Sequence, residues 1–252
     1  MRFRALLLPL LIAGCTATTQ RGEIAPGLHA ETFGASATAA RTLIVVLHGE
    51  GIPDHYGFAA ASAQAVPNGA AVALLRPGYV DSAGRSSVGE RGSETGDNFT
   101  LDRIAAVGDA IAAWRARYTR ARIVLVGDGG GAAIAANLAG IRPGLIDGMV
   151  LVGCPCTLPE WRKSMKWDGA VQSLDPLKTA GGILPGLRAA VLVGADDKIT
   201  PVKFSRAYAE ALTLRGIATD YRIVPAKGHD LLNDPEVLAA TQRLAASLPR
   251  KS

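Results

Sequence analysis

The sequence predicts an α/β fold in which a mostly parallel central sheet is covered by helices on both faces. From Arg41 onward, short runs of Val, Leu and Ile alternate with longer segments of helical spacing. The short runs are almost continuously apolar, which is typical of parallel strands buried on both faces. A chain of 252 residues suits one such domain, and we expect it over residues 41–252.

Six strands and four helices follow from these patterns. Over residues 101–118, for example, Ile104, Val107 and Ile111 line one helical face. Residues 157–185 hold two tryptophans and several prolines without a strand pattern, and we expect them to form a small cap beside a pocket. The strands are predicted at 42–47, 71–75, 122–126, 148–152, 189–193 and 219–224, and the other helices at 131–139, 202–214 and 236–248.

Residues 1–15 are typical of an export signal. Arg2 and Arg4 precede an apolar run that is too short to cross a bilayer, which needs roughly 20 apolar residues. The run ends in Ile-Ala-Gly-Cys, which is similar to a bacterial lipobox and implies cleavage before Cys15 and lipidation of its thiol. An ordinary signal peptide with a chance cysteine is the alternative. The lipobox implies a lipid-anchored protein of the cell envelope, and Thr16 after the cysteine implies the outer membrane, facing the periplasm, in a Gram-negative cell.

Residues 16–40 are rich in Thr, Ala and Gly and have no sustained period, which predicts a flexible tether. An edge strand at 29–33 is the alternative for its last part. Besides the lipobox cysteine, the chain has Cys154 and Cys156, separated by one proline. Because a disulfide across a single residue closes a strained ring, two free, buried thiols are predicted.

Charge and cysteine spacing argue against several classes of function. The formal net charge of +5 comes mostly from scattered arginines, and no aromatic residues alternate with basic ones along a stripe. We therefore do not expect nucleic-acid binding. The chain has no zinc or haem pattern, so no metal or cofactor is expected. The sequence does not indicate an oligomeric state.

A strand, a glycine-rich turn and a helix of small residues follow one another over residues 122–136. The turn, Gly-Asp-Gly-Gly-Gly, resembles the nucleophile elbow G-x-S-x-G of the α/β-hydrolases, in which glycines permit a sharp turn and a close approach of strand and helix. Gly127 and Gly131 fill the flanking positions, and Gly129 stands where the family carries serine. The alternative is the phosphate cradle of a nucleotide-binding protein, but the turn has no Walker lysine.

Two later loops are similar to the acid and base segments of the same family. Residues 194–201 resemble the acid turn G-x-x-D-x-x-x-P, which implies that Asp197 orients the base, with Asp196 as the competing candidate. A Gly-His pair after the last predicted strand implies that His229 is the general base. The resemblance is closest to bacterial serine esterases and the prolyl-oligopeptidase-like branch of the superfamily, both of which have this order of segments.

A further turn, Leu-His-Gly-Glu-Gly, ends the first strong strand. In the family this turn supplies one amide of the oxyanion hole. The resemblance therefore implies the amide of Glu50 or Gly51, with the amide of Gly130 as the second donor. As the alternative for the histidine, His48 only hydrogen-bonds the loop.

The resemblance implies hydrolysis of a small-molecule ester or related acyl compound, but glycine at position 129 removes the attacking oxygen. We therefore expect an impaired or inactive enzyme, or weak hydrolysis by water that His229 activates. One alternative is a non-catalytic protein that binds such a ligand in a hydrolase pocket. Another is Asp128 as nucleophile, which resembles the elbow of haloalkane dehalogenases and epoxide hydrolases. Against it, Gly129 stands where dehalogenases usually carry tryptophan.

The loop over residues 84–98 is long enough to suggest a binding role. Arg85 and Arg91 within it either face an anionic substrate or are solvated, and the sequence leaves both possibilities open. Three serines of this loop are also candidates to replace the missing hydroxyl: Ser86, Ser87 and Ser93.

Overall fold

A computed structural model describes residues 27–92, 96 and 98–251 of the chain. Its seven strands are β1 Ala30–Gly34, β2 Thr42–Leu47, β3 Gly69–Leu74, β4 Arg122–Asp128, β5 Gly148–Val152, β6 Arg188–Gly194 and β7 Ala218–Val224. They form one sheet in the order β1-β3-β2-β4-β5-β6-β7. Only β1 is antiparallel to its neighbour, and the other pairs are parallel.

Helices cover both faces of this sheet. They are α1 Tyr56–Ala65, α2 Leu101–Arg117, α3 Gly130–Ile141, α4 Leu158–Ser164, α5 Pro176–Thr179, α6 Val202–Leu214 and α7 Pro235–Ser247, with a 3₁₀ turn at Ala180–Gly182. Side chains of β2 alternate between two apolar clusters. Val45 belongs to the cluster that includes residues of α2, α3 and α6, whereas Val46 belongs to the one that includes residues of α1 and α7. The predicted α/β architecture is therefore confirmed.

Three helices and one strand were not predicted as such, and two of these helices, α4 and α5, lie in the predicted cap at 157–185. Helix α1 is almost uniformly small and apolar and has no side-chain cap, so no amphipathic stripe marks it in the sequence. Strand β1 lies in the segment predicted as tether, where 29–33 was the alternative. It is held by pairing with β3 rather than by an apolar run of its own, and Leu75 also donates its amide to the carbonyl of His29. The domain thus begins before residue 41.

The prediction of two free thiols is wrong, because Cys154 and Cys156 form a disulfide. Their Cα atoms lie 5.1 Å apart, within the range of about 4.4–6.8 Å that disulfides span. The chain therefore bends enough around Pro155 to bring the two side chains together. Both cysteines are buried directly after β5 and before α4.

Residues 1–26 lie outside the described part, and with them the predicted signal, the lipidation site Cys15 and most of the tether. Within residues 27–92, 96 and 98–251, no helix is long and apolar enough to cross a membrane.

Candidate active site

The turn between β4 and α3 has the backbone geometry of a sharp elbow. Gly129 lies at its apex with φ 49° and ψ −114°, a conformation that residues with a side chain rarely adopt. Its amide donates to the carbonyl oxygen of Val152 at 2.9 Å, which fixes the apex against the end of β5. Asp128 ends β4 before the apex, and α3 begins at Gly130 after it. The serine position of the predicted motif is therefore the apex itself.

The two flanking glycines are required by close packing. A β-carbon on Gly131 would lie 2.6 Å from the carbonyl oxygens of Leu47 and His48. A β-carbon on Gly127 would overlap the backbone of Gly131. Helix α3 can approach the ends of β2 and β4 this closely only because both positions are glycine.

An aspartate and a histidine form a hydrogen-bonded pair beside the elbow. Asp197 follows β6 and His229 follows β7, and Nδ1 of the imidazole lies 2.9 Å from Oδ2 of the carboxylate. The carboxylate also accepts the amides of Ile199 and Thr200, at 2.9 and 2.8 Å. The hydroxyl of Thr200 donates to it as well, at 2.7 Å. The competing candidate, Asp196, is exposed and does not line the cavity.

Their pairing shifts the pKa of both groups. Burial alone would lower the pKa of His229, but the hydrogen bond and the negative charge of Asp197 outweigh it and raise this pKa. Burial would raise the pKa of Asp197, yet the hydrogen bonds from His229 and Thr200 lower it. Asp197 is thus kept ionised beside the imidazole.

The imidazole faces the empty position at the elbow. A β-carbon on Gly129 would lie 3.7 Å from Nε2 of His229 and 3.6 Å from Cα of Gly49, which are ordinary van der Waals distances. There is therefore room for a short side chain between the apex and the base. Gly129 itself has no side chain to occupy that space.

A carboxylate held by three loop residues lies next to the predicted oxyanion hole. Glu50 accepts hydrogen bonds from Arg76 at 3.1 Å, from Asn98 at 2.9 Å and from the hydroxyl of Tyr79. Burial alone would raise the pKa of Glu50, but the Arg76 charge and these hydrogen bonds outweigh it and lower this pKa. The carboxylate packs so closely on Gly130 that a β-carbon there would overlap it.

The histidine of this first turn has a structural role. Nε2 of His48 accepts the amide of Arg76 at 3.0 Å, so Nδ1 carries the proton that it donates to the carbonyl of Gly49 at 2.8 Å. Burial and the nearby Arg76 charge lower the pKa of His48 well below its usual value. His48 is therefore neutral and fixes the loop, as the alternative interpretation held.

Asp128 presents a poorly solvated carboxyl group to the same cavity. Within the described residues, its Oδ1 atom has neither exposed surface nor a hydrogen-bond partner. Burial raises the pKa of Asp128 to about 6, although the nearby His229 opposes this. Because it precedes the apex, its carboxylate does not occupy the nucleophile position.

These groups surround a cavity of about 500 Å³. Trp161 and Trp167 of the predicted cap form one wall, with their rings edge to face at 5.0 Å. The indole of Trp161 donates to the carbonyl of Ile199 at 2.6 Å, which joins the cap to the loop after β6. Among the described residues, no lysine or arginine lines the cavity. Its carboxylates are those of Glu50, Asp54, Asp128 and Asp230.

The long loop after β3 holds the site rather than a charged ligand. Arg85 forms ion pairs with Glu31 and Asp81, and Arg91 stacks on the ring of Tyr79. Ser87 donates to the carbonyl of Leu75, and neither Ser86 nor Ser87 lines the cavity. Ser93 lies outside the described residues.

Over the described ranges, no group of three or more His, Cys, Asp or Glu side chains is placed to hold a metal ion. The candidate site thus consists of the elbow, the acid–base pair and the loops that line the cavity. Its predicted members Gly129, Gly130, Glu50, Gly51, Asp128 and His229 all line the cavity, and Asp197 lies behind the histidine.

The fold resembles those of several solved hydrolases. Esterase PE8 superposes with a TM-score of 0.61 at 17% identity, over 88% of this chain and 99% of that one. A monoacylglycerol lipase of Paleococcus ferrophilus gives 0.60 at 18% identity, over 87% and 98%. A thermostable carboxyl esterase of Bacillus coagulans gives 0.63 at 11% identity, over 90% and 95%.

At these identities the likeness shows the fold. The chain therefore has the α/β-hydrolase fold, and the resemblance seen in the sequence motifs is confirmed at that level. No family model matches the sequence, and no curated protein sequence matches it.

The sequence motifs did not indicate which side chains hold the Glu50 carboxylate. Arg76 and Tyr79 belong to a short Arg-Pro-Gly-Tyr segment directly after β3, and Asn98 ends the long loop. One signal could have indicated Arg76 as a partner. It directly follows a predicted parallel strand, and the carboxyl ends of parallel strands lie at the same side of the sheet as the elbow.

Proposed function

We propose that this chain is a lipid-anchored protein of the serine esterase lineage whose acyl-hydrolase activity is impaired or absent because Gly129 replaces the nucleophile. The ligand class of this lineage is a small-molecule ester or related acyl compound. The observation that carries the proposal is the 3.7 Å separation between a β-carbon on Gly129 and Nε2 of His229. The base and its orienting acid are in position, but no side-chain oxygen is.

A serine at this position would complete the chemistry. Its hydroxyl oxygen, about 1.4 Å beyond the β-carbon, would come within hydrogen-bond reach of Nε2. As that oxygen attacks an ester carbonyl carbon, its proton passes to the imidazole of His229, and the carbonyl oxygen takes the negative charge. Amides of Gly130 and of Glu50 or Gly51 are the expected donors to that charge.

A fluorophosphonate probe tests the proposal. The unaltered protein should not be labelled, whereas Gly129→Ser should be labelled and should hydrolyse a short p-nitrophenyl ester. Gly129→Ala is the matched control, since it adds the same β-carbon without a hydroxyl and should remain unlabelled. Labelling of the unaltered protein would refute the missing nucleophile.

Water activated by His229 is the remaining route to hydrolysis in the unaltered protein. The open space beside Gly129 supports it, because a water molecule there would lie next to the base. Any hydrolysis by this route should disappear in His229→Ala and should be far slower than in Gly129→Ser. Hydrolysis that survives in His229→Ala excludes it.

A non-catalytic binding protein is the second candidate, and Glu50 favours it. An ionised carboxylate packed on Gly130 disfavours negative charge on a bound oxygen, which weakens both oxyanion stabilisation and carboxylate binding. The expected ligand is therefore a neutral ester. Calorimetric binding of a short alkyl ketone, with the matching carboxylate as the comparison, tests this candidate, and tighter binding of the carboxylate would contradict it.

A carboxylate nucleophile at Asp128 receives less support from the geometry, because the strained apex conformation belongs to Gly129. Single-turnover hydrolysis in heavy-oxygen water would label Asp128 if its carboxylate attacked the substrate. Activity that survives in Asp128→Ala would exclude this route.

The lipid anchor is a separate part of the proposal and rests on the lipobox that ends at Cys15. It places the protein in the cell envelope, at the periplasmic face of the outer membrane in a Gram-negative cell. Radiolabelled palmitate should enter the protein and be lost in Cys15→Ser. A soluble, unlipidated wild-type protein in the native cell would contradict the anchor.

A further inference from the structure

Exposed apolar side chains surround the cavity at the carboxyl-terminal ends of the parallel strands. We refer to this side of the sheet as its carboxyl edge. Ile52 follows β2 and is 78% exposed, and Val88 follows β3 and is 74% exposed. Val80 and Leu101 also follow β3, Ile199 follows β6, and all three are exposed. Single exposed apolar residues are ordinary, but a group of them on one edge is typical of an interaction surface. We call these five residues the apolar rim.

The chain enters the domain at this same edge. Strand β1 runs antiparallel to β3, and Ala30 pairs with Leu74, the last residue of β3. Before it, Gly27 accepts the amide of Val88 through its carbonyl at 2.7 Å. Three strand spacings of about 4.8 Å separate β1 from β4, so the entry point lies about 14 Å to the side of the elbow.

We propose that the apolar rim docks on the lipid surface to which the chain is anchored. This inference rests on the proposed lipid anchor at Cys15. Residues 16–26 separate that cysteine from Gly27. A tether of that many residues, as the composition predicts, would span about 18 Å on average and about 40 Å at most.

This tether is short relative to the domain. The strands of the sheet are about 20 Å long, so the edge with the entry point is on average nearer to the membrane than the opposite edge. The membrane-proximal edge is also the one with the apolar rim, and burial of apolar side chains at the lipid boundary then favours docking. The chain length and the side-chain exposure thus favour the same orientation independently.

Docking in this orientation limits the class of ligand. Ile52 and Ile199 both belong to the rim and line the cavity, so the mouth of the cavity opens towards the lipid. An ester with an aliphatic chain that partitions into the membrane would reach the cavity without crossing water. The inferred ligand is therefore a membrane-borne acyl ester rather than a freely soluble one.

Cysteine labelling can test the orientation in the full-length, lipidated protein. Cys154 and Cys156 are joined in the disulfide, and Cys15 carries the lipid in this proposal. A cysteine introduced at the surface is then the single reactive thiol and takes a nitroxide label at one known position.

Labels are placed at Ile52→Cys and Val88→Cys in the rim. Leu214→Cys is the matched control, because Leu214 is 89% exposed but ends α6 beside the amino-terminal ends of the parallel strands, away from the cavity. The protein is reconstituted on vesicles of phosphatidylethanolamine and phosphatidylglycerol. We expect the two rim labels to gain collisions with oxygen and lose collisions with a water-soluble nickel complex, while the control label is unchanged.

Sedimentation of the same samples separates the two proposals. If the protein sediments with the vesicles but the rim labels stay as water-exposed as the label at Leu214, the docked orientation is refuted and the anchor stands. If the full-length protein, expressed with its signal segment, does not sediment, the anchor is refuted, and the docking that depends on it is refuted as well.

Discussion

Gly129 and His229 face each other across an open position, and a β-carbon added to the glycine would lie 3.7 Å from Nε2 of the imidazole. The imidazole is paired with Asp197 at 2.9 Å, as a base that accepts a proton requires. The acid–base pair therefore lies beside a residue that has no side chain.

Replacing Gly129 by serine or by alanine should destabilise the protein to the same extent. The φ of 49° at Gly129 is unfavourable for residues other than glycine, and such a backbone costs about 1–3 kcal/mol. Because the surrounding atoms leave room for a β-carbon, Gly129→Ser and Gly129→Ala should each lose about that much free energy of unfolding. Urea unfolding measures both, and a much larger loss for serine than for alanine would indicate a clash that the structure does not contain.

The pH dependence of Gly129→Ser should depend on the acid–base pair. A base acts in its neutral form, and Asp197 raises the pKa of His229 although burial opposes this. The rate of ester hydrolysis should therefore rise with pH and reach half its maximum above 6.5, the usual histidine pKa. Adding Asp197→Asn should lower this midpoint and the maximal rate.

Asp196→Asn in the same background is the control, because Asp196 is an exposed neighbour that does not line the cavity. It should leave the pH–rate profile unchanged. A midpoint that Asp197→Asn does not move, or that both substitutions move equally, would contradict the assignment of the orienting acid.

Asp128 should make stability depend on pH with the opposite sign to that of an ordinary ion pair. Burial raises its pKa in the folded protein to about 6, above the value of about 3.9 in an unfolded chain. Its contribution to stability is present below about pH 4 and is lost as pH rises through about 6, a change of about 3 kcal/mol. Asp128→Asn removes this loss.

Urea unfolding of the parent and of Asp128→Asn at pH 4.5 and 7.5 measures the effect. Taking the difference between the two proteins at each pH removes the contributions of other titrating groups. The variant should gain stability over the parent as the pH rises, and a difference that does not change with pH would show that the Asp128 carboxyl group is not desolvated.

Glu50 should contribute to stability through the buried arginine that it neutralises. The side chain of Arg76 is only 1% exposed, whereas that of Glu50 is one-third exposed at 33%. Removing one partner of a buried ion pair costs about 3–5 kcal/mol, so a partly exposed pair should cost about 2 kcal/mol. Glu50→Gln should lower the free energy of unfolding by that amount.

Tyr79→Phe is the comparison for this pair, since it removes one hydrogen bond to Glu50 and leaves both charges in place. Its loss should be about 1 kcal/mol. Equal losses for the two variants in chemical unfolding would show that the charge of Glu50 is not needed to offset the buried guanidinium.

Residues that follow one another along the chain carried the successful sequence predictions. Continuous apolar runs predicted the bounds of β2 and β5, and short linear motifs singled out Asp197 and His229, which form a hydrogen-bonded pair. Contacts between distant segments carried no such signal. Strand β1 exists through pairing with β3, and Glu50 meets Asn98 only because two loops converge at one edge of the sheet. Patterns that are local in the sequence can be recognised without the fold, whereas contacts between distant segments depend on the fold itself.

The disulfide between Cys154 and Cys156 is the clearest departure from the sequence prediction, and alkylation can test it. In the denatured but unreduced protein, neither Cys154 nor Cys156 should react with iodoacetamide, and reduction should expose both. Because the bond closes a loop of only three residues, chain entropy assigns it a stabilisation of about 1.6 kcal/mol, below the usual 2–4 kcal/mol. A Cys154→Ala, Cys156→Ala variant should therefore unfold at slightly lower urea and remain folded at 25 °C. Alkylation of both cysteines before reduction would show instead that they are free thiols.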